Sequence, residues 1–139
     1  MVRKKITYTD YNGEERTEEF LFNLTKAELM EMEMGTVGGL AESLKKIIAT
    51  KDIPSISKFF KSFILKTYGE KSADGKRFMK SEEISTAFSQ TEAYSELFME
   101  LMSDDRKMAE FITGIIPSDL AKQLPENPED MAKMLETTK

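Results

Sequence analysis

The chain has no cysteine and no histidine in 139 residues. Without cysteine there is no disulfide framework and no thiol chemistry. Without histidine the commonest general base and metal ligand is missing. These absences weigh together against a zinc enzyme, a Ser-His triad and a Cys-His pair, so neither a catalytic role nor a cofactor is expected. Long apolar runs are missing too, and nothing approaches the roughly 18 residues a membrane helix needs. The opening "MVRKKITYTD" lacks the apolar core of a secretion signal. The expected location is the cytoplasm.

What is present is the composition of an ordinary globular domain. Hydrophobic residues make up 40% of the chain, too many for a disordered one. The length suits one domain with a real core. The net charge of −5 is unevenly spread. Residues 1–50 carry seven basic and nine acidic groups, residues 51–80 eight and three, and residues 81–139 five and thirteen. A basic middle of this kind can meet an acidic partner. The simpler expectation is that it pairs with the acidic C-terminal half of its own domain.

The expected fold class is α+β, mostly α: an N-terminal β-hairpin followed by a compact bundle of about five to seven short helices. Residues 1–124 are expected to form a single globular domain, with the hairpin at 1–24 and helices over 25–124. Residues 125–139 form a short tail, with Pro125 and Pro128 as breaks. In the hairpin "ITYTDYNGEERTEEFLFNL" the apolar pattern decides the register. A three-residue loop, Tyr11-Asn12-Gly13, pairs Lys4 with Phe20 and Val2 with Phe22. It gathers Val2, Ile6, Tyr8, Phe20 and Phe22 on one face, and sets Lys5 opposite Glu19 and Thr7 opposite Thr17 on the other. Asp10 suits the start of a type I turn, and Gly13 the left-handed residue after it.

Six helices are expected beyond the hairpin, before any in the tail. Thr25 and Glu28 form a capping box for the first, with Leu24 and Leu29 as its hydrophobic staple. "GTVGG" ends it near Gly35. A second carries Leu40, Leu44, Ile47 and Ile48. A third follows Pro54, with Ile56, Phe59, Phe60, Phe63 and Ile64 as its stripe and Gly69 as its stop. A short helix follows Ser81, where Glu82 and Glu83 suit the dipole. The fifth is announced by Ser89 and Glu92, with Tyr94, Leu97, Phe98, Leu101 and Met102 inward. The sixth uses Met108, Phe111, Ile112, Ile115 and Ile116, and Pro117 limits it.

Three stretches invite a chemical reading, and in each the plain one is preferred. "YGEKSADGKR", residues 68–77, is not a phosphate loop. Its glycines, Gly69 and Gly75, are separated by five residues rather than four, and Arg77 stands where a hydroxyl is needed. Aligned as a calcium loop on Gly75, it has Ser81 where a bidentate carboxylate belongs. It is expected to be a polar connection between two helices, turned by "ADGK", with Phe78 or Met79 tucked onto the core. Glu92, Glu96 and Glu100 share one helical face, but di-metal carboxylate sites also use histidine, and a solvated outer face is expected. Lys58, Lys61, Lys66, Lys71, Lys76, Arg77 and Lys80 lie among aromatics, as in nucleic-acid binders. Phe59, Phe60 and Phe63 belong to the core stripe, however, and no nucleic-acid partner is expected.

The ten methionines are the most suggestive compositional fact. Met30, Met32 and Met34 spread around a short helix and cannot all face one core. Met99 sits off the stripe of its helix, as does Leu65 on the helix after Pro54. Flexible thioethers suit surfaces that repack against varied apolar partners. The alternative is gap-filling in a loosely specified core or burial between copies of the chain. The candidate partner-binding residues are Met30, Met32, Met34, Tyr94, Phe98, Met99 and Met102. The exposed edge of a two-stranded hairpin is a further candidate contact, for a homo-oligomer.

"YTDYNGEERTEEFLFNLTKAELMEMEM" and the stretch from "FILKTYGEKSADGKRF" through "FSQTEAYSELFMELMSDDRKMAEFITGIIP" together resemble the tail assembly chaperones of long-tailed bacteriophages. The form is one common among phages and prophages of Gram-positive bacteria. The resemblance covers about two thirds of the chain and rests on whole-stretch likeness, not on a catalytic signature. It implies a non-enzymatic protein that coats the helical tape measure protein, keeps it soluble, and helps bring tail tube subunits to it. It also implies a protein that leaves before the virion is complete. Such families often make a second, longer product by frameshifting, and this chain looks like the shorter one. No fixed binding motif comes with the family. The alternative function is a structural component of the particle, such as a head–tail connector or tube-associated subunit. A metal-dependent enzyme survives only if a divalent ion binds the Glu92–Glu100 face or the loop at 70–82.

Overall fold

The computed structural model describes residues 1–35, Lys46, Ala49 and residues 52–116. In chain order its elements are β1 (Val2–Thr9), β2 (Glu15–Phe22), α1 (Lys26–Met34), α2 (Ile53–Thr67), β3 (Tyr68–Lys71), β4 (Phe78–Met79), α3 (Glu82–Ser89), α4 (Glu92–Ser103) and α5 (Asp105–Ile115). The fold is α+β and mostly α, as expected. Of the helix expected over Leu40–Ile48 only Lys46 is described, and the tail beyond Pro117, with its boundary at 124, falls outside the described residues.

The hairpin takes the register that the apolar pattern demands. Val2 faces Phe22, Lys4 faces Phe20, Lys5 faces Glu19 and Thr7 faces Thr17. The turn closes with Asp10 N–H donating to Glu14 O and Gly13 N–H donating to Asp10 O. The Asp10 carboxylate accepts from the N–H groups of Asn12 and Glu14 and from Arg16 Nε. The Arg16 guanidinium, more than the backbone donors, holds that carboxyl below its ordinary value. Gly13 sits at φ +82, where a side chain costs about 1–2 kcal/mol.

One expectation fails in an informative way. Residues 68–77 are not a plain connection between helices. With Phe78 and Met79 they form a second hairpin, and the four strands join in one sheet of order β1-β2-β3-β4. Helix α2 stops at Thr67, two residues before Gly69, because Tyr68 turns extended and starts β3. Gly69 then pairs with Leu21. Its role is to leave room. A Cβ there would lie 2.5 Å from the Phe78 ring and 2.8 Å from Met79 O. Phe78 therefore covers Gly69 and is absent from the core cluster. Replacing Gly69 with alanine is expected to lower stability by about 1–3 kcal/mol through overpacking. A urea midpoint equal to wild type would refute this close approach.

The helices bury the stripes their sequences carry. Thr25 and Glu28 make the reciprocal capping box at 2.9 and 3.1 Å, and Leu24 and Leu29 are both buried. In α2, Ile56, Phe60, Phe63 and Ile64 are buried and Phe59 packs beside them. Ser81 caps α3. All five apolar residues expected of the sixth helix are buried. Two details differ from expectation. Leu65 packs against the core rather than facing out. The cap of α4 is Thr91, which accepts from Tyr94 N–H and donates to Phe88 O. Ser89 instead ends α3, bonding back to Thr86 O. Burial of Phe88 holds that last turn of α3 in place and leaves Thr91 to begin the next helix.

Lys80 ties the second hairpin to the first helix. Its ammonium donates to Asn23 O at 2.6 Å and to Glu28 Oε2 at 2.8 Å. Burial pushes the Glu28 carboxyl up, but Lys80 and the Thr25 N–H outweigh it and leave the carboxyl below its usual value. A depressed carboxyl stabilises the fold above its unfolded value, about 4.3, and that contribution fades as the pH falls through the folded value. Glu28→Gln is thus expected to be less stable than wild type at pH 7, with the gap closing in acid. A gap independent of pH would refute the pairing.

Candidate functional site

Helix α4 is divided lengthwise into three rows. The buried row is Ala93, Leu97 and Leu101, each one turn from the next. The apolar stripe expected at Tyr94, Leu97, Phe98, Leu101 and Met102 is therefore rotated. Only its leucines are buried, and the remaining three form a flank.

The second row is Glu92, Glu96 and Glu100, expected to be a solvated face. Two of the three are engaged inside the molecule. Glu92 accepts from Tyr11 O–H at 3.0 Å. Glu100 sits between Lys4 at 3.5 Å and Lys107 at 3.3 Å. The contacts run Tyr11 to Glu92 and Lys4 to Glu100, so β1 lies antiparallel along the helix. The acidic row lines the edge of that contact, while Ile6 and Phe22 of the hairpin are buried in the core. Among the described residues no group of three or more acidic side chains is arranged to hold a metal ion.

The third row is Tyr94, Phe98 and Met102, again one turn apart. All three are half-buried and pack against the edge of the core. The Tyr94 and Phe98 rings lie 5.9 Å apart, and Tyr94 meets Phe88 edge-on at 5.7 Å. Burial pushes the Tyr94 hydroxyl up. Met99, beside this row, is 61% exposed. The result is an apolar flank with an aromatic base and a free thioether on its outer side.

The candidates on α1 divide likewise. Met30 and Met34, one turn apart, are 58% and 75% exposed, while Met32 packs against the core. Their spread around the helix follows the sequence expectation. The seven candidates thus form two patches on separate elements: Tyr94, Phe98, Met99 and Met102 on α4, and Met30 and Met34 on α1, with Met32 turned inward beneath them.

The expected pairing of the basic middle with the acidic C-terminal half does not occur among the described residues. Lys80 pairs with Glu28 of the N-terminal segment. Lys58, Lys61, Lys66, Lys71, Lys76 and Arg77 are exposed and form no ion pair there. Sequence reasoning also missed the opening between β2 and β3, lined by Glu18, Phe20, Tyr68 and Glu70 among others. The signal for it was the Asp-Gly turn at 74–75, flanked by Tyr68 and Phe78.

Among the described residues the exposed large apolar side chains are mainly methionines, one of them beside an aromatic row, which is the surface chemistry of a protein-binding module. A family model described as phage tail assembly chaperone matches residues 1–139, and the chain belongs to that family. No curated protein and no solved structure matches it. The family sets the chain in bacteriophage tail assembly, with phage tail proteins as its partners. No described helix is long and apolar enough to cross a membrane.

Proposed function

We propose that the chain binds the tape measure protein of its phage, keeps it soluble, and helps tail tube subunits assemble around it. It acts by binding alone, without cofactor or nucleic acid, in the cytoplasm of the infected or lysogenic host. It leaves before the virion is complete. Residues 1–124 are its folded unit. The observation that carries this reading is the α4 flank, where Tyr94, Phe98 and Met102 stand half-open beside the exposed Met99. An apolar helix laid along that flank would meet side chains at each successive turn. Thioethers let the same surface accept more than one sequence. Met30 and Met34 supply a second patch.

The test is co-expression with the tape measure protein of the same phage genome. The client is expected to become soluble and to co-purify. If it stays insoluble beside a folded, soluble partner, and this chain is found in purified particles, the protein is a structural component instead.

A further inference from the structure

Strand β2 spans Glu15–Phe22, yet β3 pairs only with its last two residues, Leu21 and Phe22. The β1–β2 ladder fixes where the rest of its backbone points. Asp10 N–H donates to Glu14 O, and the antiparallel alternation carries this pairing through the even-numbered residues to Val2 and Phe22. The N–H and C=O groups of Glu15, Thr17 and Glu19 therefore face away from β1, towards the side where β3 lies. Lys71 is in the mirror position. Ser72 N–H donates to Arg77 O, so alternate residues of β3 face β4 and Lys71 faces β2. The two strands part beyond the Leu21–Gly69 pair and leave an open notch of about 430 Å³.

The core side of this notch is aromatic, and its rim carries three carboxylates, Glu18, Glu19 and Glu70, against one lysine, Lys71, with Glu18 also accepting from Tyr8 O–H. Phe20 and Tyr68 have centroids 6.3 Å apart, and Tyr68 stacks on Phe88 at 4.1 Å. By strand alternation Glu18 lies on the face of Phe20, and Glu70 on the face of Tyr68. The Tyr68 hydroxyl is pushed up first by burial and then by the charges of Glu70 and Glu18, so both carboxylates act on one ring.

We propose that this notch receives an extended basic segment of a partner protein, which adds as a strand along Glu15–Glu19 and places a lysine or arginine over Tyr68 between Glu18 and Glu70. Strand addition supplies main-chain hydrogen bonds, and the side-chain pocket supplies selectivity. A cation over an aromatic face flanked by carboxylates gains from both. An acidic strand would be repelled. The chain's own basic strand, β1, is a poor guest, because its inner face is held by α4 and α5. A second copy would bring those helices against α3, which already packs on β3. This surface is separate from the α4 flank, so the inference stands or falls independently of tape measure binding.

The experiment is an NMR titration of the full chain with a short capped peptide alternating lysine and valine. Shift changes and slowed amide exchange are expected at Glu15, Thr17, Glu19 and Lys71, weakening as salt is added. The Glu18→Gln, Glu70→Gln double variant should bind about tenfold more weakly. Methylating the peptide backbone should abolish binding without touching the protein. Thr17→Pro, which removes an outward N–H together with the hydroxyl that meets Thr7 at 2.9 Å, should do the same where circular dichroism shows the variant folded. The proposal is overturned by absence of saturable binding, by shifts confined to other residues, or by equal affinity for a peptide with glutamate in place of lysine. It is also overturned if those amides become protected with rising protein concentration alone, which would assign the edge to a second copy.

Discussion

Phe22→Ala is expected to cost about 3–5 kcal/mol of folding stability. The ring is fully buried, and its centroid lies 5.1 Å from Phe111, 5.6 Å from Tyr68 and 5.9 Å from Phe88. Those partners belong to α5, β3 and α3, so one side chain joins the first hairpin to three later elements. Its removal loses the transfer energy of the ring and leaves a cavity that rigid aromatic neighbours fill poorly. Against the roughly 5–15 kcal/mol of a typical domain this is a large share. Urea unfolding followed by circular dichroism measures it. Phe22→Leu, which keeps most of the volume, should lose much less. A loss below about 1 kcal/mol for alanine would mean that the aromatic cluster is not the centre of the core.

Met99→Glu is expected to leave stability within about 0.5 kcal/mol of wild type, because the side chain is exposed and off the buried row. Its effect on client binding should be far larger. Covering a methionine is worth about 1.5–3 kcal/mol, and burying an unpaired carboxylate adds a penalty. Affinity for the tape measure protein should fall by about 10–100-fold. Met99→Leu should retain most of it. Met30→Glu, tested alone and with Met99→Glu, shows whether the α1 patch contributes. If the folded double variant solubilises and retains the client as wild type does, neither patch is the binding surface.

The candidate site was partly legible in the sequence. Met99 and the Met30–Met34 pair announced themselves because helical spacing places them away from any single stripe. Tyr94, Phe98 and Met102 were named as candidates too, but that they stand half-buried beside the buried row was not legible. A stripe of five apolar residues on α4 is wider than the row a neighbour covers, and only packing selects Ala93, Leu97 and Leu101 as the buried centre. The alanine carries little hydrophobic signal, yet it is fully buried because it allows close approach. The acidic row was misjudged for a related reason. Helical spacing shows that Glu92 and Glu100 share a face, but only the docked hairpin shows that Tyr11 and Lys4 meet them.

The sequence by itself determined the elements whose causes are local. Register in the first hairpin follows from a period of two, since a one-residue slip would turn Phe20 and Phe22 outward. The Thr25–Glu28 box fixes a helix start within four residues, and the stripes of α2 and α5 follow from helical period. Only the tertiary structure decided that residues 68–71 and 78–79 are strands. Four residues and two are too short for a period to register, and β3 exists because Gly69 and Tyr68 find Leu21 and Phe22 far away in the chain. That distant pairing also sets where β2 and β3 part, and so creates the acidic notch. No local rule encodes it, because its two sides belong to different hairpins.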